Sequence, residues 1–310
     1  MRRPIDVLSA GELYVDLITA EFVQTVEEVS LFTRQPGGSA ANLASNMARL
    51  GNKASLIACV GNDDMGQTLL QYIQRLGVDA SNVTQIEEPT TLVLSTRAAN
   101  SSNAQYYRRA DFQLSIRQFP FQRFEEISIF HTTCFALSKQ PAQQVLLQAA
   151  EKAKRAGCQL SLDVNFSHKI WPQRTEALRA IAEFCRLNAL IKISQEDWSQ
   201  LYDNEMPAPE IAIEHFLKMG ASEVCITLGI NGCWVGNSEE KHFLGIRKTD
   251  IKDSTNIGDA FWAGYLSARL DGRSMLECSI AARKLAEIKL SYLGPLPAKV
   301  DKTLVYSDLG

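Results

Sequence analysis

KDSTNIGDAFWAGYLSARL, residues 252–270, runs from a polar turn directly into an apolar helix. Asp253, Ser254 and Thr255 precede Asn256-Ile257-Gly258-Asp259, after which Phe261, Ala263, Leu266 and Leu270 fall inward. A helix start carries unpaired N–H donors and the positive end of the dipole, which suits an oxyanion or a phosphate. Asp259 stands in that first turn. An acid there ordinarily does no more than favour the dipole. As a functional group it could take the proton from a substrate hydroxyl while the adjacent amides hold a transferring phosphoryl group. A positioned base of that kind contributes about 10²–10⁴-fold in rate. Taken alone, the segment favours the plainer reading.

Outward from it, the chain alternates two textures. IDVLSA (5–10), ASLIACV (54–60), EISIFHTT (126–133), CQLSLDV (158–164), ALIKI (189–193) and EVCITL (223–228) read as buried strands. Amphipathic stretches lie between them. Ala40, Leu43, Met47 and Leu50 share a helical face before Gly51, and Ala142, Val145, Leu146, Ala149, Ala150 and Ala153 share another before Gly157. This alternation predicts a mostly parallel sheet with helices on both faces. Residues 12–36 and 88–112 break it with period-2 alternation and turns, and are expected as excursions of antiparallel strands.

Polar residues recur where strands end. QPGGSAANLASNMARLG (35–51) places Gly37 and Gly38 before a helix, with Ser39 as the expected cap and Asn42 in the first turn. It is not G-x-G-x-x-G, which disfavours a dinucleotide site. CITLGINGCWVG (225–236) reads as a hairpin, although Thr227, Gly229 and Gly232 also stand where α/β folds hold nucleotides. GNDDMG (61–66), DVNFSHKIW (163–171) and KISQEDW (192–198) add Asp163, Asn165, Ser194 and Asp197 at further strand ends. In an open α/β sheet those ends converge on one crevice.

Composition bounds the rest. The 310 residues, at about 150 per domain, allow two domains or one large one. With 32 Lys+Arg against 35 Asp+Glu, there is no basic excess to announce nucleic acid. No apolar run approaches the roughly 18 residues of a membrane helix, and seven scattered cysteines lack zinc-site spacing. A cytoplasmic protein with reduced core cysteines is expected.

Over essentially its whole length the chain resembles the ribokinase-like (PfkB-type) carbohydrate kinases. PGGSAAN is similar to that family's first signature, and DSTNIGDAFWAG to its second, usually D-T-T-G-A-G-D-A-F-x-A-G. GELYVD, VGNDDMG, YYRRAD, DVNF, KISQED, TLGING and SYLGPLP follow the family's order. The resemblance implies one α/β/α three-layer sandwich over 1–310, with a small β-sheet lid from segments about 12–36 and 88–112 that forms a homodimer interface. It implies ATP and Mg²⁺ as cofactors, with K⁺ in some members. It makes Asp259 the general base and Asn256, Ile257 and Gly258 the anion hole. Asp16, Gly37, Gly38, Asn42, Arg108 and Asn165 would hold the sugar, with Arg108 reaching down from the lid. Ser194, Asp197, Thr227, Gly229 and Gly232 would line the nucleotide site. Asp197 would influence Mg²⁺ indirectly, and Asp253 and Thr255 would bind the monovalent cation.

The departures shape the function. Asn256-Ile257 replaces the usual Gly-Ala, and Asn is among the few residues that accept positive φ. Ser194 and Asp197 replace the family's Asn and Glu. The family's D-x-N-x-R ends here in Ser167, which argues against a sugar acid, although His168 or Lys169 could substitute for the lost arginine. The expected function is an ATP-dependent kinase for a neutral sugar, most plausibly a ketohexose such as fructose. The alternatives are a 2-keto-3-deoxygluconate kinase, a ribokinase or nucleoside kinase, and a sugar- or nucleotide-binding relative with little phosphotransfer.

Overall fold

The computed structural model describes residues 3–22, 29, 31–97, 103–247 and 251–309. Its strands are β1 (Ile5–Ala10), β2 (Tyr14–Phe22), β3 (Phe32–Gly37), β4 (Ala54–Gly61), β5 (Asp79–Ile86), β6 (Leu92–Arg97), β7 (Asn103–Tyr107), β8 (Ile127–Thr133), β9 (Gln159–Asp163), β10 (Leu190–Ser194), β11 (Glu223–Thr227), β12 (Cys233–Gly236) and β13 (Lys241–Leu244). They divide into two sheets. The larger has the order β13-β12-β11-β10-β9-β8-β1-β4-β5. From β11 to β5 every neighbouring pair is parallel, and β12 and β13 close one edge as an antiparallel hairpin.

The helices are α1 (Ser39–Arg49), α2 (Asp64–Arg75), α3 (Ala142–Arg155), α4 (Arg174–Arg186), α5 (Gln195–Tyr202), α6 (Pro209–Lys218), α7 (Ile257–Leu270), α8 (Met275–Leu290) and α9 (Lys302–Val305). Two apolar clusters sort them into layers. One joins α3, α4, α5 and α6 to one face of the sheet. The other joins α1, α2, α7, α8 and α9 to the opposite face. A parallel strand covered on both faces must be apolar throughout, which is why β4 is buried at every position. The result is a three-layer α/β/α sandwich. All seven cysteines are free and buried in it. Among the described residues, no helix is long and apolar enough to cross a membrane.

The smaller sheet, in the order β3-β2-β6-β7, is the expected lid. Two expectations for it need correction. Its strands are not all antiparallel, because β2 and β6 pair parallel in the middle. The second segment also stops being strand at Tyr107, and Ala110–Phe112 forms a 3-10 turn that packs against β4 of the larger sheet. Within the two lid segments, residues 23–28, 30 and 98–102 lie outside the described residues. The edge strand β5 was not anticipated. Its sequence, DASNVTQI, is polar and half-exposed, so it carries no buried-strand signal.

Candidate active site

Because the central strands run parallel, Thr133, Asp163, Ser194 and Thr227 all stand at one edge of the sheet. The heads of α1 and α7 meet above that edge. They frame a cleft of about 260 Å³ lined by Tyr14, Ser39, Asn42, Asp163, Asn165, Lys192, Ser254, Asn256, Ile257, Gly258 and Asp259. A second cavity of about 310 Å³ lies between β3 and α2, but no carboxylate lines it. The chemistry is in the first.

At the head of α7, Asn256 has φ 58° and ψ 22°, a left-handed conformation. The expected tolerance of Asn for that backbone is borne out. The Ile257 amide donates to the Ser254 carbonyl at 3.3 Å, and the Ala260 amide to the Asn256 carbonyl at 3.2 Å. The amides of Gly258 and Asp259 have no acceptor among the described residues. The donors left for an anion are therefore narrower than the whole turn.

Asp259 is buried beside them. Ser39 Oγ donates to its Oδ1 at 2.5 Å, and Asn42 Nδ2 donates to its Oδ2 at 2.8 Å. Burial and the charge of Asp163 push its pKa up to about 6, against those two hydrogen bonds and the Lys192 ammonium. A carboxylate that still ionises just below neutrality is suited to accept a hydroxyl proton. Ser39 is thus a correction: α1 has no side-chain cap, its N-cap is Gly38, and the serine serves Asp259 instead. Asn42 likewise holds the acid.

Gly37 and Gly38 are fixed by close packing. A β-carbon on Gly37 would collide with the Tyr14 ring, and one on Gly38, at φ 106°, with the Glu12 carbonyl. The lid can therefore sit directly on the start of α1. Asp16 projects from β2 two residues beyond Tyr14 and accepts from Ser95 Oγ at 2.8 Å. Burial raises its pKa to about 6. Asn165 lines the cleft and accepts the Phe135 amide at 3.1 Å.

Arg108 does not hang free from the lid. Its guanidinium pairs with Asp111 at 2.7 Å, donates to Ser138 Oγ at 2.5 Å and lies 4.1 Å from the Phe135 ring centroid. Lys169 donates to the Ala104 carbonyl of β7 at 3.1 Å.

Ser194 and Asp197 form a reciprocal capping box on α5. Asp197 Oδ2 accepts from both the Ser194 amide and its hydroxyl, and burial raises the Asp197 pKa to about 6. The register sets Thr227 beside Ser194. Gly229 and Gly232 follow at φ 57° and 103°, and a β-carbon on Gly232 would strike the Leu244 carbonyl. Gly232 is thus required by the hairpin itself.

Asp253 is also committed. The Thr255 amide donates to its Oδ1 at 2.9 Å, and the Gly294 amide to its Oδ2 at 2.9 Å. Lys289 Nζ donates to its backbone carbonyl at 3.1 Å and lies 3.4 Å from Oδ2. Burial opposes the charge, but these partners together hold the Asp253 carboxyl below its ordinary range. His131 is neutral: burial drives its pKa down to about 3. Among the described residues, no three His, Cys, Asp or Glu gather as a metal site.

Lys192, which the sequence reading does not single out, also lines the cleft and pairs with Asp163. Its signal was present, since a lysine inside the buried run ALIKI must find a partner.

The chain from residue 5 to residue 301 matches the model of the pfkB family carbohydrate kinases. The ATP-dependent 6-phosphofructokinase of Thermoanaerobacterium thermosaccharolyticum is 28% identical over 291 residues, covering 94% of this chain and 89% of that protein. Fructokinase-1 of Oryza sativa subsp. japonica is 27% identical over 275 residues, covering 87% and 85%. The crystal structure of an uncharacterized sugar kinase from Pyrococcus horikoshii superposes with a TM-score of 0.85 at 27% identity, covering 97% of each chain. That protein has also been solved in complex with ATP.

Proposed function

This chain belongs to the pfkB family of carbohydrate kinases, and we propose that, as an ATP-dependent sugar kinase, it phosphorylates the primary hydroxyl of a neutral sugar, a ketohexose such as fructose. The observation that carries this reading is the pairing of Asp259, held ready by Ser39 and Asn42, with the acceptor-free amides of Gly258 and Asp259. Asp259 takes the hydroxyl proton, the oxygen attacks the γ-phosphorus, and the amides stabilise the charge on the group in transit.

The neutrality of the acceptor rests on charge. On the sugar side stand Asp16, Asn165 and the rings of Tyr14, Tyr106 and Phe135, while the guanidinium of Arg108 is already neutralised by Asp111. Lys169, the candidate substitute for the lost arginine, is engaged with the lid backbone. A sugar acid or a sugar phosphate would meet no unpaired cation from these residues.

Thr227, Gly229 and Gly232 would line the nucleotide, and Mg²⁺ held by its phosphates would supply charge stabilisation to the group in transit. The reaction needs no K⁺, because the Lys289 ammonium already supplies a cation at Asp253. Two copies associate through the lid, where Leu31 and Tyr107 are exposed.

The test is ADP release screened over fructose, ribose, 2-keto-3-deoxygluconate, fructose 6-phosphate and nucleosides, in sodium and in potassium buffers. Fructose should give the highest kcat/KM, with equal rates in both salts and a rate about 10²–10⁴-fold lower from Asp259→Asn. An anionic acceptor as best substrate would overturn the neutral-sugar reading.

A further inference from the structure

Lys192 has no role in the scheme above, and its placement is not explained by stability. Leu190, Ile191 and Ile193 of the same strand are buried apolar side chains. Lys192 Nζ stands 3.0 and 2.9 Å from the two carboxylate oxygens of Asp163. Both side chains are almost wholly enclosed, at 6% and 3% exposure. A buried ion pair of this kind often holds a fold no better than two apolar residues of similar size. What the pair does achieve is position. The register sets Lys192 directly beside Asp163 on neighbouring strands. A β-carbon built on Gly258 would lie 2.9 Å from Nζ, so the ammonium rests against the first turn of α7. It therefore shares the cleft with the two acceptor-free amides.

The charge balance of the cleft points the same way. Asp163 and Asp259 line it, the charge of Asp197 also acts on Lys192, and Lys192 is the one cation among its described lining residues. Burial opposes the ammonium, but these three acids hold it protonated well above neutrality. Two carboxylates without that cation would repel an incoming polyphosphate. An ammonium has three hydrogens, and the Asp163 carboxylate leaves at least one of them for a further acceptor.

We propose that Lys192 is a third donor of the anion hole, giving a hydrogen bond to a non-bridging oxygen of the phosphoryl group during transfer, with Asp163 as the residue that positions its ammonium. The proposal rests on the phosphoryl-transfer reading of the cleft. In the step itself, the bond from the sugar oxygen to phosphorus forms as the bond to ADP breaks. The hydroxyl proton passes to Asp259, and Lys192 remains protonated throughout. Asp163 touches no reacting atom.

The experiment compares Lys192→Met, Lys192→Arg and the double variant Lys192→Met/Asp163→Asn with the wild-type chain. The double variant removes both charges of the Lys192–Asp163 pair together, which guards against a single variant that fails to fold. The readouts are kcat, KM for ATP and sugar, ADP affinity, melting temperature and the pH profile of kcat/KM. Loss of an anion-hole donor predicts that kcat falls about 10²–10³-fold in Lys192→Met and in the double variant. ADP lacks the transferred group, so its affinity should stay within about threefold on the same argument. Lys192→Arg keeps the charge and should recover part of kcat. The acid limb of Lys192→Met should move to higher pH, since a cation that favours the ionised Asp259 is gone.

A folded double variant whose kcat stays within a few fold of wild type would overturn the proposal. So would equal losses of kcat and ADP affinity, which would make Lys192 a ground-state binder. If none of the acceptors stimulates ADP release from the wild-type chain, the phosphoryl-transfer reading itself fails, and this proposal fails with it.

Discussion

Two buried lysine–aspartate pairs flank the same turn of chain, and they differ in what lies on their open side. Lys192 and Asp163 face the cleft, next to the Gly258 amide and Asp259. Lys289 and Asp253 stand before the turn, where the Thr255 and Gly294 amides complete the coordination of the carboxylate. The second pair is a closed circuit, with its charge answered by protein on every described side. The first has a lysine whose neighbours are acids and whose exit is the cleft. Identical chemistry thus serves architecture in one place and substrate in the other. The difference is set by topology, because β10 ends at the carboxyl edge of the sheet while Lys289 comes from the end of α8.

The largest expected effect isolates the cleft side. Asp259→Asn should lower kcat by about 10²–10⁴-fold, the usual range for a positioned base. It should not lower the melting temperature at neutral pH. A carboxyl raised from 3.8 in the unfolded chain to about 6 in the fold is a liability wherever it is ionised. The two-unit rise corresponds to about 3 kcal/mol at 1.36 kcal/mol per unit. That liability is fully present above pH 6, shrinks as pH falls through 6 and is gone below the unfolded value. Any gain in stability for Asp259→Asn should therefore be seen at pH 7.5 and fade by pH 4. Wild-type kcat/KM should likewise fall about tenfold per unit below pH 6. A variant destabilised at neutral pH would show that the carboxylate holds α1 to α7, and the contrast between the two sides would weaken.

Much of this is legible in the sequence. The parallel sheet followed from apolar runs such as ASLIACV, and the left-handed turn followed from Asn256 standing where glycine is usual. What stayed hidden was partnership across the fold. Ser39 looked like a cap because it precedes a helix, and only the approach of α7 gives it Asp259 to serve. Arg108 looked like a free hand, and Asp111, three residues on, neutralises it. The middle of the lid looked antiparallel because period-2 alternation is blind to strand direction. Lys192 lies in the apolar strand ALIKI, where its charge signals a buried partner that the sequence does not name. Local periodicity reports burial well, but it does not name the partner of a buried polar group, whether that partner is three residues away like Asp111 or 220 residues away like Asp259.

The next effect isolates the other pair. Lys289→Met leaves Asp253 charged and buried without its cation, which should cost about 3–5 kcal/mol of stability. Lys289→Met/Asp253→Asn should recover a large part of that loss, since no buried charge remains uncompensated. If Lys289 acts as a built-in cation, K⁺ should raise the melting temperature of Lys289→Met more than that of the wild-type chain. Thermal unfolding in sodium and potassium salts reads all three expectations. A large fall in kcat for the folded double variant would mean that this pair, too, acts on the reaction.

Ile257 gives the smallest and sharpest probe, because it stands in the turn that runs from Asp253 to the Asp259 cleft. Its side chain lines the cleft on one side and packs against the α1, α7 and α8 cluster on the other. If packing is its main role, Ile257→Ala should lose about 1 kcal/mol of stability, less than a fully buried isoleucine would. Turnover should then change by no more than about threefold, since the backbone amides that meet the anion belong to Gly258 and Asp259. A tenfold rise in kcat would instead mean that the isoleucine crowds the phosphoryl position and that the chain gave up rate for a tighter turn. Measured in the Lys192→Arg background, the same truncation asks whether the bulkier guanidinium needs that space. A gain there, without one in the wild type, would place the Ile257 side chain and the Lys192 head group at the same wall of the cleft.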